Sequence, residues 1–231
     1  MKKLRPALWL SIFTIAMFSA SGVLGCKDTG MEPSLPHNLL LSVQPAGSVL
    51  LKPNHEILHL TSVRVLLKGI EFEGAASSDS AEVESDTRVL NLAMDAKMTE
   101  LAAAKIPPGQ YNRVRVQIHK PEGSEQVTDS SFVTGGSGNE RFSVVVTGFY
   151  HETPFTFRSS QSVEIELNLN PPITVTNSGV ANVTFKIDPY LWFSANGLIF
   201  DPFNQTKEIN DLIKGSFAEA FRDNDRNGDA D

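Results

Sequence analysis

The stretch PNHEILHLTSVRV, residues 53–65, places His55, Glu56 and His59 in the H-E-x-x-H spacing of zinc peptidases. That chemistry needs a helix, because residues four apart share a face in a helix and the glutamate then acts as base for a zinc-bound water. The residues that follow alternate instead between apolar and polar side chains and are rich in β-branched types. This alternation predicts a strand, in which the two imidazoles would diverge, and a short helical turn over residues 53–60 is the alternative.

A third zinc ligand is missing from the places where such enzymes carry one. Glu71 and Glu73 follow the motif but lie in or beside the same predicted strand, whereas zinc peptidases use a second helix or a fixed downstream motif. Glu164 and Glu166 are predicted on the solvated face of another strand. The remaining histidines are scattered and predicted on strand surfaces: His37, His119 and His151. The sequence therefore predicts a protein without enzyme activity, and a zinc-dependent hydrolase using the HEILH motif is the alternative.

The last nine residues resemble the first nine positions of an EF-hand-type calcium loop. Carboxylate or amide side chains fall at positions one, three, five, seven and nine: Asp223, Asp225, Asn227, Asp229 and Asp231. Gly228 supplies the turn at position six. Because the sequence ends before the bidentate glutamate of a complete loop, we expect weak calcium binding, roughly millimolar as in extracellular modules. A frayed acidic tail without calcium is the alternative.

The N-terminus predicts export and lipid attachment. A basic start, MKKLR, precedes an apolar run, which is typical of a signal peptide over residues 1–25. The following Val23-Leu24-Gly25-Cys26 resembles the lipobox of bacterial lipoproteins, in which the cysteine is acylated and the peptide before it is removed. Cys26 is the single cysteine of the chain, so we assign it to lipid attachment rather than to a disulfide. Several acyl chains, at about 0.8 kcal/mol per buried methylene, make a lasting membrane anchor.

Composition after the cysteine narrows the location and the partners. Residues 26–36 are polar, contain proline and glycine and lack apolar periodicity, which predicts a lipidated tether. Lys27 is not the aspartate that retains lipoproteins in the inner membrane of enteric bacteria, so the outer membrane is favoured if two membranes are present. The net charge of −7 becomes −10 when the three basic residues of the signal peptide are removed. An acidic chain without basic clusters excludes a nucleic-acid partner.

Beyond the tether, period-two patterning predicts a mainly β fold. Six stretches carry this pattern or are rich in β-branched and aromatic residues: HLTSVRVLLKGIEFEG, YNRVRVQIH, RFSVVVTGFY, PFTFRS, SVEIELNLN and ANVTFKID. Their short spacing predicts an antiparallel β-sandwich over residues 37–203. Loops are expected over Gly74–Thr87 and Thr134–Glu140, a turn over His151–Pro154, and a short internal helix over Asp95–Ala104.

Residues 204–231 combine a predicted helix with the acidic tail. Six apolar residues fall at helical spacing: Ile209, Leu212, Ile213, Phe217, Ala220 and Phe221. Thr206 can cap the start of this helix, whereas Gly215 inside it is unfavourable. We expect the apolar stripe to cover an open end of the sandwich.

Several aromatic residues could stack on a sugar or pack between sheets: Phe149, Tyr150, Phe155, Phe157, Tyr190, Trp192 and Phe193. Packing explains alternating aromatics with fewer assumptions. An envelope protein or a glycan is the expected class of ligand, with no residue assigned to the contact.

Four stretches resemble a group of uncharacterised bacterial lipoproteins that carry a domain of unknown function: LHLTSVRVLLKGIEFEG, IPPGQYNRVRVQIHKPE, FSVVVTGFYHETPFTFRS and IDPYLWF. The shared features are a strand ending in I-E-F, a P-P-G-x-Y entry into the next strand and a late W-F. The resemblance spans most of residues 55–231 and rests on apolar patterns rather than reactive residues. It implies a β-sandwich lipoprotein that presents a binding or structural surface in the cell envelope and has no enzyme activity.

Overall fold

Alternating apolar side chains fold most of the chain into β-strands. The computed structural model describes residues 36–45, 57–74, 80–84, 87–95, 97–123, 125–135, 140–213 and 217–231. Several predicted features lie outside the described residues: the signal peptide, Cys26, the tether up to residue 35, His55 and Glu56.

Thirteen strands and one α-helix are present in these described ranges. The strands are β1 (Leu39–Pro45), β2 (Leu58–Gly74), β3 (Ser80–Glu84), β4 (Arg88–Leu92), β5 (Thr99–Ala104), β6 (Gly109–Ile118), β7 (Val144–Tyr150), β8 (Thr153–Ser159), β9 (Val163–Val175), β10 (Ala181–Ile187), β11 (Ser194–Ala195), β12 (Leu198–Ile199) and β13 (Phe217–Arg222). The helix α1 spans Thr206–Ile213. Short 3-10 helices cover Ser130–Phe132 and Pro189–Trp192.

Eleven strands form one hydrogen-bonded sheet in the order β5-β1-β10-β13-β9-β6-β2-β7-β8, with β3 and β4 also pairing with β2. The long strand β2 pairs with β7 along its first half and with β6 along its second half. Most pairs are antiparallel, but β1 runs parallel to β10, and β13 runs parallel to β9. The predicted mainly β, sandwich-like fold is therefore confirmed, and a single curled sheet with two parallel pairs provides it.

The apolar faces of the curled sheet enclose one main core. Its largest buried side chains include Trp192, Phe72, Phe185 and Phe193. Burying a side chain of this size stabilises the fold by about 1.5–3 kcal/mol relative to leaving it exposed. A smaller cluster of Leu66, Phe132 and Val145 covers part of the outer face of β2 and β7. Packing against this core fixes the positions of the strands, and therefore of the side chains on the outer face of the sheet.

The internal helix predicted over Asp95–Ala104 is wrong. Residues Thr99–Ala104 form β5, which pairs antiparallel with β1. Alanine favours a helix in isolation, but pairing with β1 satisfies the backbone and buries Leu101 and Ala102. The predicted loop over Gly74–Thr87 likewise contains a strand, β3, which pairs with β2.

The predicted C-terminal helix is present but shorter than its apolar stripe. Helix α1 begins at Thr206 and buries Ile209 and Ile213. The second half of the stripe belongs instead to β13, which lies between β10 and β9 in the main sheet and pairs antiparallel with β10. The prediction of a helix that continues through Phe221 is therefore wrong. The backbone of these residues forms its hydrogen bonds with the neighbouring strand β10 instead of within a helix.

Candidate functional site

The second histidine of the apparent peptidase motif lies in a strand. His59 is the second residue of β2. Its neighbours in the sequence, Leu58 and Leu60, are buried, so the His59 side chain points to the opposite, outer face of the strand. It is opposite Phe149 in the register, and the two rings stack with centroids 6.5 Å apart at 27°. The predicted strand after the motif is confirmed, so the helical face that a zinc peptidase needs is absent at His59. In the described ranges no group of three or more histidine, cysteine, aspartate or glutamate side chains is placed to hold a metal ion.

The two glutamates after the motif belong to an ion-pair ladder across β2, β6 and β9. The register aligns Glu71 with Arg115 and Arg115 with Glu166 in neighbouring strands. Arg115 lies 3.3 Å from Glu71, 3.1 Å from Glu164 and 3.6 Å from Glu166, and it also contacts Glu73. Cross-strand pairs of opposite charge stabilise such a sheet face. Glu164 and Glu166 are thus on the wet face as predicted, but they are ion-paired there.

Arg113 extends the ladder by one row. Its guanidinium lies 3.1 Å from Glu73 and 3.1 Å from Glu166. Burial would lower the pKa of Arg115, but the four surrounding carboxylates raise it above the usual value, so this side chain stays charged. The ladder therefore holds four carboxylates and two guanidinium groups in fixed positions, with an excess of negative charge.

A groove of about 500 Å³ opens beside the ladder. This volume is within the usual range for small-ligand sites, although the lining is more polar than usual. Its charged and polar lining comes from three strands and the edge strand β3: Glu71, Ser80, Glu82, Arg115, Gln117 and Glu164. Three carboxylates face one guanidinium group there. The groove can accept hydrogen bonds from a cationic or polar ligand, and the lining residues that the structure describes include no serine–histidine or cysteine–histidine pair for nucleophilic catalysis.

A second polar cluster closes the end of β6. His119 is buried rather than on a strand surface as predicted, and its Nε2 lies 2.6 Å from Glu125 Oε2. Thr87 also donates a hydrogen bond to Glu125. Burial would raise the pKa of Glu125, but the hydrogen bonds from Thr87 and His119 outweigh it and lower the pKa to about 2. His119 continues the polar side of the β6 alternation, so the sequence pattern predicts exposure there, whereas tertiary contacts bury the side chain.

The C-terminal loop is organised around Asp223. This carboxylate is fully buried and accepts hydrogen bonds from Thr184 Oγ1 at 2.8 Å, from the Asn227 amide at 3.0 Å and from the Gly228 amide at 3.1 Å. Gly228 has φ +87°, and a Cβ placed on it would lie 2.3 Å from Gln44 Oε1. The positive φ favours glycine at the sixth position of the loop, whereas the Gln44 side chain could move to relieve the close contact.

The other predicted calcium ligands are spread along the exposed side of the loop. Asp225 accepts hydrogen bonds from Asn227, and the Asn227 side chain accepts one from the Asp229 amide at 2.7 Å. Asp229 also lies 3.6 Å from Lys186 on β10, and Asp231 accepts from the Asn224 amide. The loop packs on the outer face of β1 and β10, and hydrogen bonds rather than converging carboxylates hold its shape.

The aromatic residues divide clearly by burial. Phe155, Phe157, Tyr190, Trp192 and Phe193 are buried, as expected from packing. Phe149 is 44% exposed on the outer face of β7. The period-two pattern of a strand predicts that Phe149 and its neighbour Tyr150 lie on opposite faces, so the sequence contains a signal for the exposure of Phe149.

Comparison with known proteins gives one result. A family model described as a domain of unknown function, DUF4382, matches residues 52–202. No curated protein and no solved structure matches the chain. None of the helices in the described residues has the length and apolar character needed to cross a membrane.

Proposed function

The chain belongs to the DUF4382 family of domains of unknown function, and we propose that it is a lipid-anchored protein of the bacterial cell envelope that binds a partner without catalysis. Cys26 would carry the lipid, and residues 27–36 would connect it to the β domain. The N-terminal sequence supports the anchor, because a basic and apolar leader precedes the lipobox-like VLGC. Outer-membrane sorting is the preferred location.

The groove beside the ion-pair ladder carries the binding part of this proposal. It is concave, its charged walls are held by neighbouring strands, and Glu71, Glu82 and Glu164 outnumber Arg115. Charge complementarity favours a cationic segment of an envelope protein as the partner. Arg115 forms ion pairs with the surrounding carboxylates and holds them in place, so its charge is already neutralised when a ligand arrives.

Metabolic labelling with an alkyne-bearing palmitate tests the anchor. We expect the wild-type chain to become labelled and to fractionate with membranes, and the Cys26→Ser chain to remain unlabelled. Equal labelling of both chains, or of neither, would contradict lipid attachment at Cys26.

Site-specific photo-crosslinking in cells tests the groove. A photoreactive phenylalanine analogue at Gln117 should give a discrete crosslinked product, and the double change Glu71→Gln with Glu164→Gln should abolish it. The matched control places the same analogue at Lys207, an exposed residue of α1. Products that are absent at Gln117, or equal at both positions, would exclude the groove as the contact.

We also propose that the C-terminal loop binds calcium weakly. The hydrogen bonds of Asp223 and the left-handed Gly228 give the loop the turn of an EF-hand-type site, and Asp225, Asp229 and Asp231 are exposed for coordination. At 10 mM calcium, a millimolar affinity should raise Tm by about 3 °C, whereas magnesium should not. An unchanged Tm, or an equal rise in the Asp225→Asn, Asp229→Asn double variant, would contradict calcium binding.

A zinc-dependent hydrolase using His55, Glu56 and His59 is the alternative function. The placement of His59 in β2 argues against it, because both histidines of such a motif must lie in one helix. Metal analysis of the full chain separates the two functions. One zinc per chain that is lost in His59→Ala, but retained in His151→Ala, would favour the hydrolase and overturn the non-catalytic proposal.

A further inference from the structure

A second surface lies on the other half of β2, where β2, β7 and β8 run side by side. Six side chains form its outer face: His59 and Thr61 of β2, Thr147 and Phe149 of β7, and Pro154 and Thr156 of β8. Thr61 lies at a register irregularity of β2, where Ser62 is the register partner of Thr147, and the hydroxyl contact with Thr147 brings Thr61 to this face. We name this surface the Thr–Phe face. It carries no aspartate, glutamate, lysine or arginine, and four of its six residues are exposed. Its chemistry therefore differs from that of the charged groove.

The first row of the Thr–Phe face holds an aromatic ring in place. In the register Phe149 lies between His59 and Pro154, so both neighbouring strands limit the movement of its side chain. The imidazole stacks on the phenyl ring at 6.5 Å and 27°. Phe149 nevertheless remains 44% exposed. An apolar ring face that is both exposed and supported is suited to receive another flat apolar surface.

The second row places hydroxyl groups beside this ring. Thr61 Oγ1 and Thr147 Oγ1 lie 3.1 Å apart, and Thr156 stands opposite Thr147 in the register. Residues two apart on a strand are separated by about 7 Å, so the hydroxyl row lies about one sugar unit from the aromatic row. Each hydroxyl can both donate and accept a hydrogen bond.

We propose that the Thr–Phe face binds a neutral glycan. The C–H face of a sugar ring would stack on Phe149, and the hydroxyls of the next unit would exchange hydrogen bonds with Thr147 and its neighbours. The absence of charged side chains on the face favours an uncharged chain over an anionic or cationic one. This site goes beyond the proposed groove and does not depend on it.

The size of the face argues against other occupants. Phe149 is its single exposed large hydrophobic residue, whereas a stable protein interface buries about 800 Å² on each partner with several apolar anchors. Three threonine hydroxyls are also a poor surface to place in a lipid bilayer. Beyond Thr147, the residues around Phe132 cover the outer face at Val145, and the exposed Arg158 stands beside Val145 in that next row. The uncharged part of the face therefore ends after these two rows.

Affinity electrophoresis tests the proposal with the full chain in lauryldimethylamine oxide, a detergent without a sugar headgroup. Native gels would contain dextran, laminarin or galactomannan as neutral polysaccharides and polygalacturonate as an anionic one. At least one neutral polysaccharide should retard the wild-type chain, and polygalacturonate should not. Phe149→Ala should weaken retardation at least tenfold, and Thr147→Val should weaken it about threefold to tenfold.

The matched control is Phe203→Ala, because Phe203 is also exposed but contacts Tyr150 and Phe155 on the opposite side of the β7–β8 pair. Its retardation should equal that of the wild type. Phe149→Leu keeps an apolar side chain without the ring face and should bind as weakly as Phe149→Ala, which separates stacking from folding. No retardation by any neutral polysaccharide, full retardation of Phe149→Ala, or equal losses in Phe149→Ala and Phe203→Ala would overturn the proposal.

Discussion

The backbone of Gly148 is so close to that of His59 that a Cβ on residue 148 would lie 2.2 Å from the His59 carbonyl oxygen. The same Cβ would lie 3.1 Å from the Cα of Leu60 and 3.0 Å from the Phe155 ring. Backbone atoms of a paired strand cannot move aside without breaking the backbone hydrogen bonds between β2 and β7. The absence of a side chain at position 148 therefore sets the spacing of these two strands.

Gly148→Ala should destabilise the protein by about 2–4 kcal/mol, because overpacking against backbone forces the strands apart. Urea unfolding followed by circular dichroism would measure the change. Gly123→Ala is the matched control, since a Cβ there meets no atom within 4 Å. Equal midpoints for the two variants would show that the strand spacing is not constrained as described.

The low pKa of Glu125 predicts acid sensitivity. Its pKa is about 2 in the folded chain and 4.5 as the ordinary value, so the unfolded chain takes up this proton first as the pH falls. The contribution to stability is present above about pH 4.5 and is lost towards pH 2, and it amounts to roughly 2–3 kcal/mol. Glu125→Gln should therefore be less stable than wild type at pH 6, and the difference should shrink by pH 2.5. Urea unfolding would measure this, and a difference of the same size at pH 6 and at pH 2.5 would contradict the role assigned to Glu125.

Asn38 connects three chain segments through its side chain. It donates to the Ile106 carbonyl at 2.9 Å and to the Thr176 carbonyl at 3.2 Å, and it accepts from the Ile106 amide at 2.9 Å. Asn38→Ala should cost about 2–4 kcal/mol, because backbone groups would be left buried without partners. Asn177→Ala at an exposed position should change the unfolding free energy by less than about 0.5 kcal/mol.

Arg115 neutralises carboxylates that would otherwise repel one another. Arg115→Met keeps the aliphatic stem and should cost about 1–2 kcal/mol at low ionic strength. The loss should become smaller in 0.5 M sodium chloride, since salt screens repulsion between the four glutamates. Chemical unfolding in urea at both salt concentrations would measure it, with Lys105→Met as the exposed control. A loss that does not depend on salt would assign the effect to packing instead.

Asp223 should be the critical residue of the C-terminal loop. Three donors face its carboxylate, so Asp223→Asn places an NH₂ group against a donor and should lower stability by about 2 kcal/mol. Asp225→Asn, an exposed change in the same loop, should have little effect without calcium. Thermal unfolding in a chelating buffer would compare the two variants, and equal Tm values would contradict the structural role of Asp223.

The strands were predictable where one face is wet and the other is dry. The stretch containing Val114, Val116 and Ile118 forms β6, and the patterns over β9 and β10 were found in the same way. The turn of the β7–β8 pair was also located, at His151 and Glu152. In these elements the local period and the tertiary contacts agree, so the sequence pattern is sufficient.

The remaining elements depend on partners that are distant in the sequence. The alanine-rich segment of β5 has a high helix propensity, but it forms a strand because it pairs with β1. The apolar residues after α1 keep a helical spacing by coincidence, and β10 pairs with them as β13. The ion-pair ladder is not predictable from the sequence pattern, because the acidic residues of β2 and β9 and the arginines of β6 become neighbours only through the strand order. Register, and not composition, decides such contacts.

The parallel pairing of β1 with β10 also affects how the protein must fold. Leu39 finds its partner Ala181 about 140 positions later, so the first strand has no lateral neighbour on that side until most of the polypeptide has been synthesised. The entropy cost of closing this long loop must be met before the hydrogen bonds between β1 and β10 can form. We therefore expect slow refolding that depends on non-local contacts. During that interval the apolar edge of the first strand is vulnerable to aggregation, and chaperone protection would matter most for this segment.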